Sequence, residues 1–328
     1  MIRNGFKRFM HSKILPISNT VDLSFSKISP GNLVIPNEYT SKPAIVNIHG
    51  ILGSKMMFCS LSRELANVLQ TDVYSLDLRN HGTSPRAGPF DYLTMTRDII
   101  YFIKKHIGNK RPINILGFSA GGKLGLLTTL SKEINVRKCI SIDLPPYYTP
   151  EMDPILVDNY NLIMEILNED IKIQKGSKNW KVKVQKLFNK LPVNIASNGG
   201  PAFYFSSGFL SLKGNDLELR DSLPHRKNPD ISKYIEYYIP LQSMPDFIEE
   251  LKKWPDLNSS RMEMEKLDSK TNKPVLFLKG KKSFFINENY DLLKNSFPNA
   301  QVHEFDSGHN IMFEKPREST ETIINFFQ

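Results

Sequence analysis

Residues 112–129, PINILGFSAGGKLGLLTT, decide the fold. INIL is an apolar run of strand type, and AGGKLGLLTT is helix-forming. Between them stands Gly117-Phe118-Ser119-Ala120-Gly121, a G-x-S-x-G pattern. The pattern alone occurs by chance, and its strand–turn–helix setting gives it weight. A sharp turn there lifts the Ser119 hydroxyl to the edge of a sheet, beside a helix N-terminus. The two glycines let backbone pass where any side chain would clash.

Outward from that stretch, strand and helix alternate. AIVNI at 44–48 reads as a buried strand and MFCSLSRELANVLQ at 57–70 as a helix. DVYSLDL at 72–78 is strand, DYLTMTRDIIYFIKKHI at 91–107 an amphipathic helix, and VRKCISI at 136–142 strand again. The alternation resumes with PVLFL at 274–278, ENYDLLKNSF at 288–297, AQVHEF at 300–305 and ESTETIINFF at 318–327. This predicts an α/β chain whose mostly parallel central sheet carries helices on both faces. Residues 147–255 lack strand runs of the sheet type and concentrate aromatics, Trp180, Phe203, Tyr204, Phe205, Tyr234, Tyr237, Tyr238 and Trp254 among them. They read as a helical cap insertion between core segments 26–146 and 256–328.

A serine hydroxyl is a weak nucleophile at neutral pH and needs a base. His309, in Asp306-Ser307-Gly308-His309-Asn310, follows the last strand and comes after the serine in chain order. His303 falls within the strand, His106 ends a surface helix, and His225 lies in a polar loop of the insertion. His49 and His81 sit in turns. The base in turn needs an acid to fix its tautomer. The turn after PVLFLKG, residues 281–287, holds no carboxylate before Glu288. The strand after the nucleophile helix ends in Asp143, at the same sheet edge, and Asp143 is assigned as the acid. Glu288 and Asp291 are the fallback acids.

Acyl transfer also needs N–H donors for a tetrahedral oxyanion. Ala120, after the nucleophile, supplies one. The turn His49-Gly50-Ile51-Leu52-Gly53 supplies the other, with Leu52 placed ahead of Ile51. His49 fixes that turn by hydrogen bonding. The segment Asp77–Ser84 reads as a structural loop bracing the site.

Composition narrows the function classes. The 328 residues carry a net charge of +9, but no long Lys/Arg run, zinc-finger spacing or RNP-like motif suggests nucleic acid. Cys59 and Cys139, the two cysteines, make no disulfide framework and have no metal-ligand spacing. No Walker loop, dinucleotide fingerprint or metal site is present, so no cofactor is expected. No stretch approaches the roughly 18 apolar residues of a transmembrane segment. The first 21 residues hold Arg3, Lys7, Arg8, His11 and Lys13 and no acid before Asp22. That is the pattern of a mitochondrial presequence, placed at residues 1–25.

HGILGS, DLRNHGTS, GFSAGGK, SIDLPP, GKKSFFIN and SGHN together resemble one branch of the α/β-hydrolase superfamily. It holds YbfF-like esterases, abhydrolase-domain-11 proteins and the yeast ethanol acetyltransferases. FDYLTMTRDI and KGKKSFFIN look most like the last group. The resemblance covers about residues 40–150 and 270–328, and the insertion loosely. Phe118 and Ala120 depart from the G-H-S-M-G or G-Y-S-L-G often found in such elbows, which touches pocket shape and not the catalytic logic. The resemblance implies the α/β-hydrolase fold, an acid on the strand after the nucleophile helix, and a mitochondrial location. It also implies an acyl-Ser119 intermediate, with acetyl-CoA as acyl donor and ethanol or water as acceptor. The alternatives are an esterase or thioesterase for another acyl group, and a catalytically silent binding protein.

Overall fold

The computed structural model describes residues 20–31, 42–168, 171, 173, 177–196, 200–209, 237–239, 241 and 247–328. The expectations at residues 1–19, His225 and Tyr234 lie outside the described residues.

Seven strands form one sheet in the order β1-β3-β2-β4-β5-β6-β7. They are β1 (Phe25–Ile28), β2 (Ala44–Ile48), β3 (Val73–Leu76), β4 (Ile113–Phe118), β5 (Val136–Ile142), β6 (Val275–Gly280) and β7 (Ala300–Phe305). All neighbours pair in parallel except β1, which runs antiparallel to β3 at the edge. Helices α1 (Cys59–Leu69), α2 (Tyr92–Phe102) and α3 (Ala120–Thr129) connect the first half. Between β5 and β6 the described residues form the helices α4 (Pro154–Leu167), α5 (Trp180–Phe188), α6 (Pro192–Ala196), α7 (Gly200–Ser206), α8 (Phe247–Lys252) and α9 (Ser260–Met264), with a 3-10 turn at Ser207–Phe209 and an isolated antiparallel bridge from Leu267 to Ser131. The chain ends with α10 (Asp291–Lys294), α11 (Ile311–Glu314) and α12 (Pro316–Phe327).

The strand period of two divides the sheet between two cores. Ala44, Val46 and Ile48 of β2, Ile113 and Ile115 of β4 and Phe277 of β6 join one core with Leu93 of α2 and Leu124 of α3. Ile45, Leu116, Ile140 and Leu278 join the other, with Leu65 of α1 and Ile323 and Phe327 of α12. Strands buried on both faces are why β2 and β4 read as continuous apolar runs.

Three elements differ from their sequence reading. Strand β1 was not anticipated: FSKI is four residues long, with an exposed Lys27, and shows no clean alternation. The helix over 288–297 contracts to α10, because Asn287 and Asn289 side chains accept amides two residues on and hold the approach in turns. The helix over 91–107 ends its α geometry at Phe102 and closes with a π turn to Ile107.

Candidate active site

The turn from β4 into α3 is closed by backbone contacts that only glycine permits. A Cβ on Gly117 would stand 2.1 Å from Gly121 O, and one on Gly121 would stand 2.2 Å from Ile48 O. Between them Ser119 adopts φ 54° and ψ −125°, a conformation that L residues rarely hold. Ser119 N–H donates to Ile142 O at 2.9 Å, which ties the turn to the end of β5.

His309 arrives on the loop between β7 and α11. Its Nε2 lies 2.9 Å from Ser119 Oγ and its Nδ1 lies 2.8 Å from Asp143 Oδ2. A carboxylate only accepts, so Nδ1 carries the proton and Nε2 is left to accept from the serine hydroxyl. Phe118 and Phe285 flank the imidazole at ring-centroid distances of 5.3 and 4.7 Å. Burial is the largest single influence on the His309 pKa and would depress it, but the hydrogen bond and charge of Asp143, with the charges of Asp153 and Glu314, together outweigh it and the pKa is raised.

Asp143 is fully buried one residue past β5, with φ 53°. Its other oxygen, Oδ1, accepts Gly280 N–H at 2.9 Å. Sequence reasoning therefore named three residues that the structure joins in one hydrogen-bonded chain. Glu288 and Asp291, the fallback acids, are exposed, and Asp291 pairs with Lys294 at 2.9 Å. His303 is on β7 against Phe305, and His106 pairs with Asp22 on the surface.

The turn at 49–53 requires a correction. Leu52 N–H donates to His81 Nε2 at 3.3 Å, so the amide placed first as oxyanion donor is already engaged. Ile51 and Ala120 line the cavity above Ser119, and Leu52 does not. His49 and His81 are fully buried. Each gives its Nδ1–H to a backbone carbonyl, of Gly50 at 2.7 Å and Arg79 at 2.9 Å. Each then accepts an amide from the other's loop through Nε2, since Leu78 N–H reaches His49 at 3.0 Å. Burial lowers the pKa of both rings, that of His81 well below the ordinary value, which keeps them neutral and able to accept.

Asp77 reinforces the same junction by accepting the Lys55 N–H at 2.7 Å and its ammonium at 2.5 Å. Arg79 is fully buried against Asp98, with contacts of 2.5 and 2.7 Å. The segment after β3 thus clamps the turn that faces Ser119.

These elements surround a cavity of about 400 Å³, within the range of small-molecule sites. Ser119 and His309 line it together with Tyr92, Thr149, Tyr204 and Phe313. Sequence reasoning missed three groups around it, the half-buried Tyr204 and Tyr238 and the buried Lys123. Tyr204 and Tyr238 donate to carbonyls of the 49–53 turn. Lys123 of α3 donates to Thr149 Oγ1 and to the carbonyls of Lys252 and Lys253 at 3.3, 3.2 and 3.0 Å. The aromatic cluster at 203–205 and 237–238 was the one sequence signal for the tyrosines, and the lysine in GGK the one for Lys123.

Residues 43–316 match the family model of the alpha/beta hydrolase fold. Among curated proteins, ethanol acetyltransferase 1 of Wickerhamomyces anomalus is 31% identical, over an alignment spanning 100% of this chain and 78% of that protein. Ethanol acetyltransferase 1 of Hanseniaspora uvarum is 29% identical, over 98% of this chain and 90% of its own. Among solved structures, a marine microorganism esterase is similar in fold, with a TM-score of 0.70 and 21% identity over 93% of this chain and 99% of that one. No helix among the described residues is long and apolar enough to cross a membrane. The chain belongs to the α/β-hydrolase family, in the branch that holds the yeast ethanol acetyltransferases, and is an enzyme of the acyltransferase and hydrolase class.

Proposed function

We propose that this enzyme is an alcohol acetyltransferase that forms ethyl acetate from acetyl-CoA and ethanol through an acyl-Ser119 intermediate. The observation that carries the reading is the chain Ser119–His309–Asp143 opening on a cavity that Ile51 and Ala120 also line. The curated relatives, named for ethanol acetylation, supply the donor and the acceptor.

His309 Nε2 takes the Ser119 proton as Oγ bonds to the acetyl carbon. The carbonyl oxygen becomes an oxyanion held by the Ile51 and Ala120 N–H groups. The carbon–sulfur bond breaks, and the CoA sulfur leaves with the proton from Nε2. Ethanol then gives its proton to Nε2 and attacks the acyl carbon, and ethyl acetate departs as Ser119 recovers the proton. Water in place of ethanol yields acetate, which is thioesterase activity, and an ester as donor gives esterase activity. Asp143 holds the ring in the tautomer needed at each transfer. Acetyl-CoA is a substrate in this scheme and CoA a product, and no cofactor takes part. Residues 147–255 act as a cap, since Leu156 and Tyr204 from that segment line the cavity.

Purified enzyme incubated with acetyl-CoA, with and without ethanol, should form ethyl acetate only when ethanol is present. Acetate with no ester would make the protein a thioesterase. No turnover of any acyl donor, in wild type and Ser119→Ala alike, would point to a binding protein.

The basic N-terminus extends the proposal to a mitochondrial location. Deleting residues 1–21 should move the protein to the cytosol, and unchanged import would refute this.

A further inference from the structure

The peptide groups of the 49–53 turn can be accounted for one by one. Gly50 O accepts from His49 Nδ1–H at 2.7 Å and from Gly53 N–H at 3.1 Å. The next peptide plane is held at both ends: Ile51 O accepts the Tyr204 hydroxyl at 3.0 Å, and Leu52 N–H donates to His81. The plane after that is also held at both ends: Leu52 O accepts the Tyr238 hydroxyl, and Gly53 N–H is on Gly50 O. Gly53 O accepts from Tyr238 as well, at 2.7 Å. A trans peptide points its N–H opposite to its C=O. Pinning Gly50 O and the two following planes therefore leaves the Ile51 N–H directed away from these anchors.

The carbonyl anchors Tyr204 and Tyr238 do not belong to the sheet. They come from the segment between β5 and β6, Tyr204 on α7 and Tyr238 in the stretch at 237–239. Both contacts are built in. A Cβ on Gly53 would stand 2.3 Å from Tyr204 Oη, so glycine at this position is what admits the hydroxyl. Tyr238 is fixed from behind, because Arg86 of the clamping segment donates to its carbonyl and to Gly82 O. Burial raises the pKa of both phenols, so each keeps its proton to donate.

We propose that Tyr204 and Tyr238 are positioning residues for acyl transfer. They hold the oxyanion turn in register with Ser119 and make its geometry conditional on the β5–β6 segment being seated. The inference rests on the acyl-serine reading above. It assigns that segment a part in transition-state stabilisation beyond enclosing the cavity. Neither hydroxyl reacts, and each acts through the Ile51 amide.

The test uses the full chain as wild type, Tyr204→Phe, Tyr238→Phe and the double variant. Tyr237→Phe is the control, since its hydroxyl reaches Phe205 O and not the turn. Two quantities are measured: kcat and KM for hydrolysis of p-nitrophenyl acetate, and the inhibition constant of phenylboronic acid, whose tetrahedral serine adduct needs the oxyanion donors. Each single variant should lose about tenfold in kcat at little change in KM, and the boronate constant should rise by a similar factor. Tyr237→Phe should match wild type. An active wild type whose tyrosine variants keep kcat, or lose only KM, overturns the proposal alone. A wild type that neither turns over nor binds boronate overturns the acyl-serine reading, and this proposal with it. Should the double variant fail to fold, the single variants decide, each checked by thermal melting against Tyr237→Phe.

Discussion

Asp143 Oδ1 accepts the Gly280 amide at 2.9 Å, so β6 orients the acid although its own turn supplies no carboxylate. That bond leaves Oδ2 free to hold His309. Asn at 143 would present an amide that favours the wrong imidazole tautomer. Asp143→Asn should therefore lower kcat on the order of 10⁴-fold. Glu288→Gln and Asp291→Asn, remote from the imidazole, should stay within about twofold of wild type. Steady-state kinetics on the three variants checks this, and the reverse ranking would move the acid away from Asp143.

The acid limb of the pH profile follows from the same pair. His309 must be neutral to accept the Ser119 proton, so activity falls as pH drops through its pKa. Asp143 raises that pKa above the ordinary value of about 6.5, so the fall should begin at a higher pH than an isolated imidazole would give. In Asp143→Asn the main raising contact is gone and burial is opposed only by the charges of Asp153 and Glu314, so the residual activity should persist to lower pH. A profile of kcat/KM against pH for both proteins tests the direction. An unmoved limb would assign it to another group.

Much of this site was legible because its constraints are local. Strand, turn and helix at 113–129 are dictated by apolar periodicity and by glycines facing backbone a few residues away. Asp143 was legible through a missing carboxylate at 281–287. The choice between Ile51 and Leu52 was not. It depends on which amide His81 consumes, a contact set by the packing of two loops. Tyr204 and Tyr238 were less legible still, since nothing near them in sequence marks a hydroxyl that will reach residues 51–53.

The elbow glycines give a prediction on stability. Gly121→Ala drives a methyl against Ile48 O, with the His49 carbonyl also 2.6 Å away, and backbone cannot yield as a side-chain tip can. The cost should be at least the roughly 1–3 kcal/mol of an overpacked core, with loss of activity from the displaced Ser119. Gly31→Ala, where the nearest atom to the added methyl is Asn67 Oδ1 at 3.9 Å, should change stability by less than about 0.5 kcal/mol. Urea unfolding of the two variants makes the comparison. Equal stability would show that the β4–α3 turn relaxes.

Lys123 offers a prediction with a pH sign. Its ammonium is fully buried on the nucleophile helix and caps the carbonyls at the end of α8, below Tyr92 and Thr149. Burial depresses its pKa to about 7, against about 10.4 in an unfolded chain. Between those values the unfolded chain binds a proton that the folded chain does not, so this group makes stability rise with pH. Below about 7 both states are protonated and the slope vanishes, with the burial penalty fully present. Lys123→Met removes the slope and also leaves the α8 carbonyls without their donor, a loss of about 1–3 kcal/mol. The variant should thus fall furthest below wild type at alkaline pH, and the gap should narrow toward neutrality. Taking the difference between the two proteins cancels the other lysines and tyrosines that titrate in this range. Urea unfolding at pH values on either side of the transition measures it. A gap independent of pH would mean that Lys123 stays charged in the folded enzyme, neutralised by the helix end it caps.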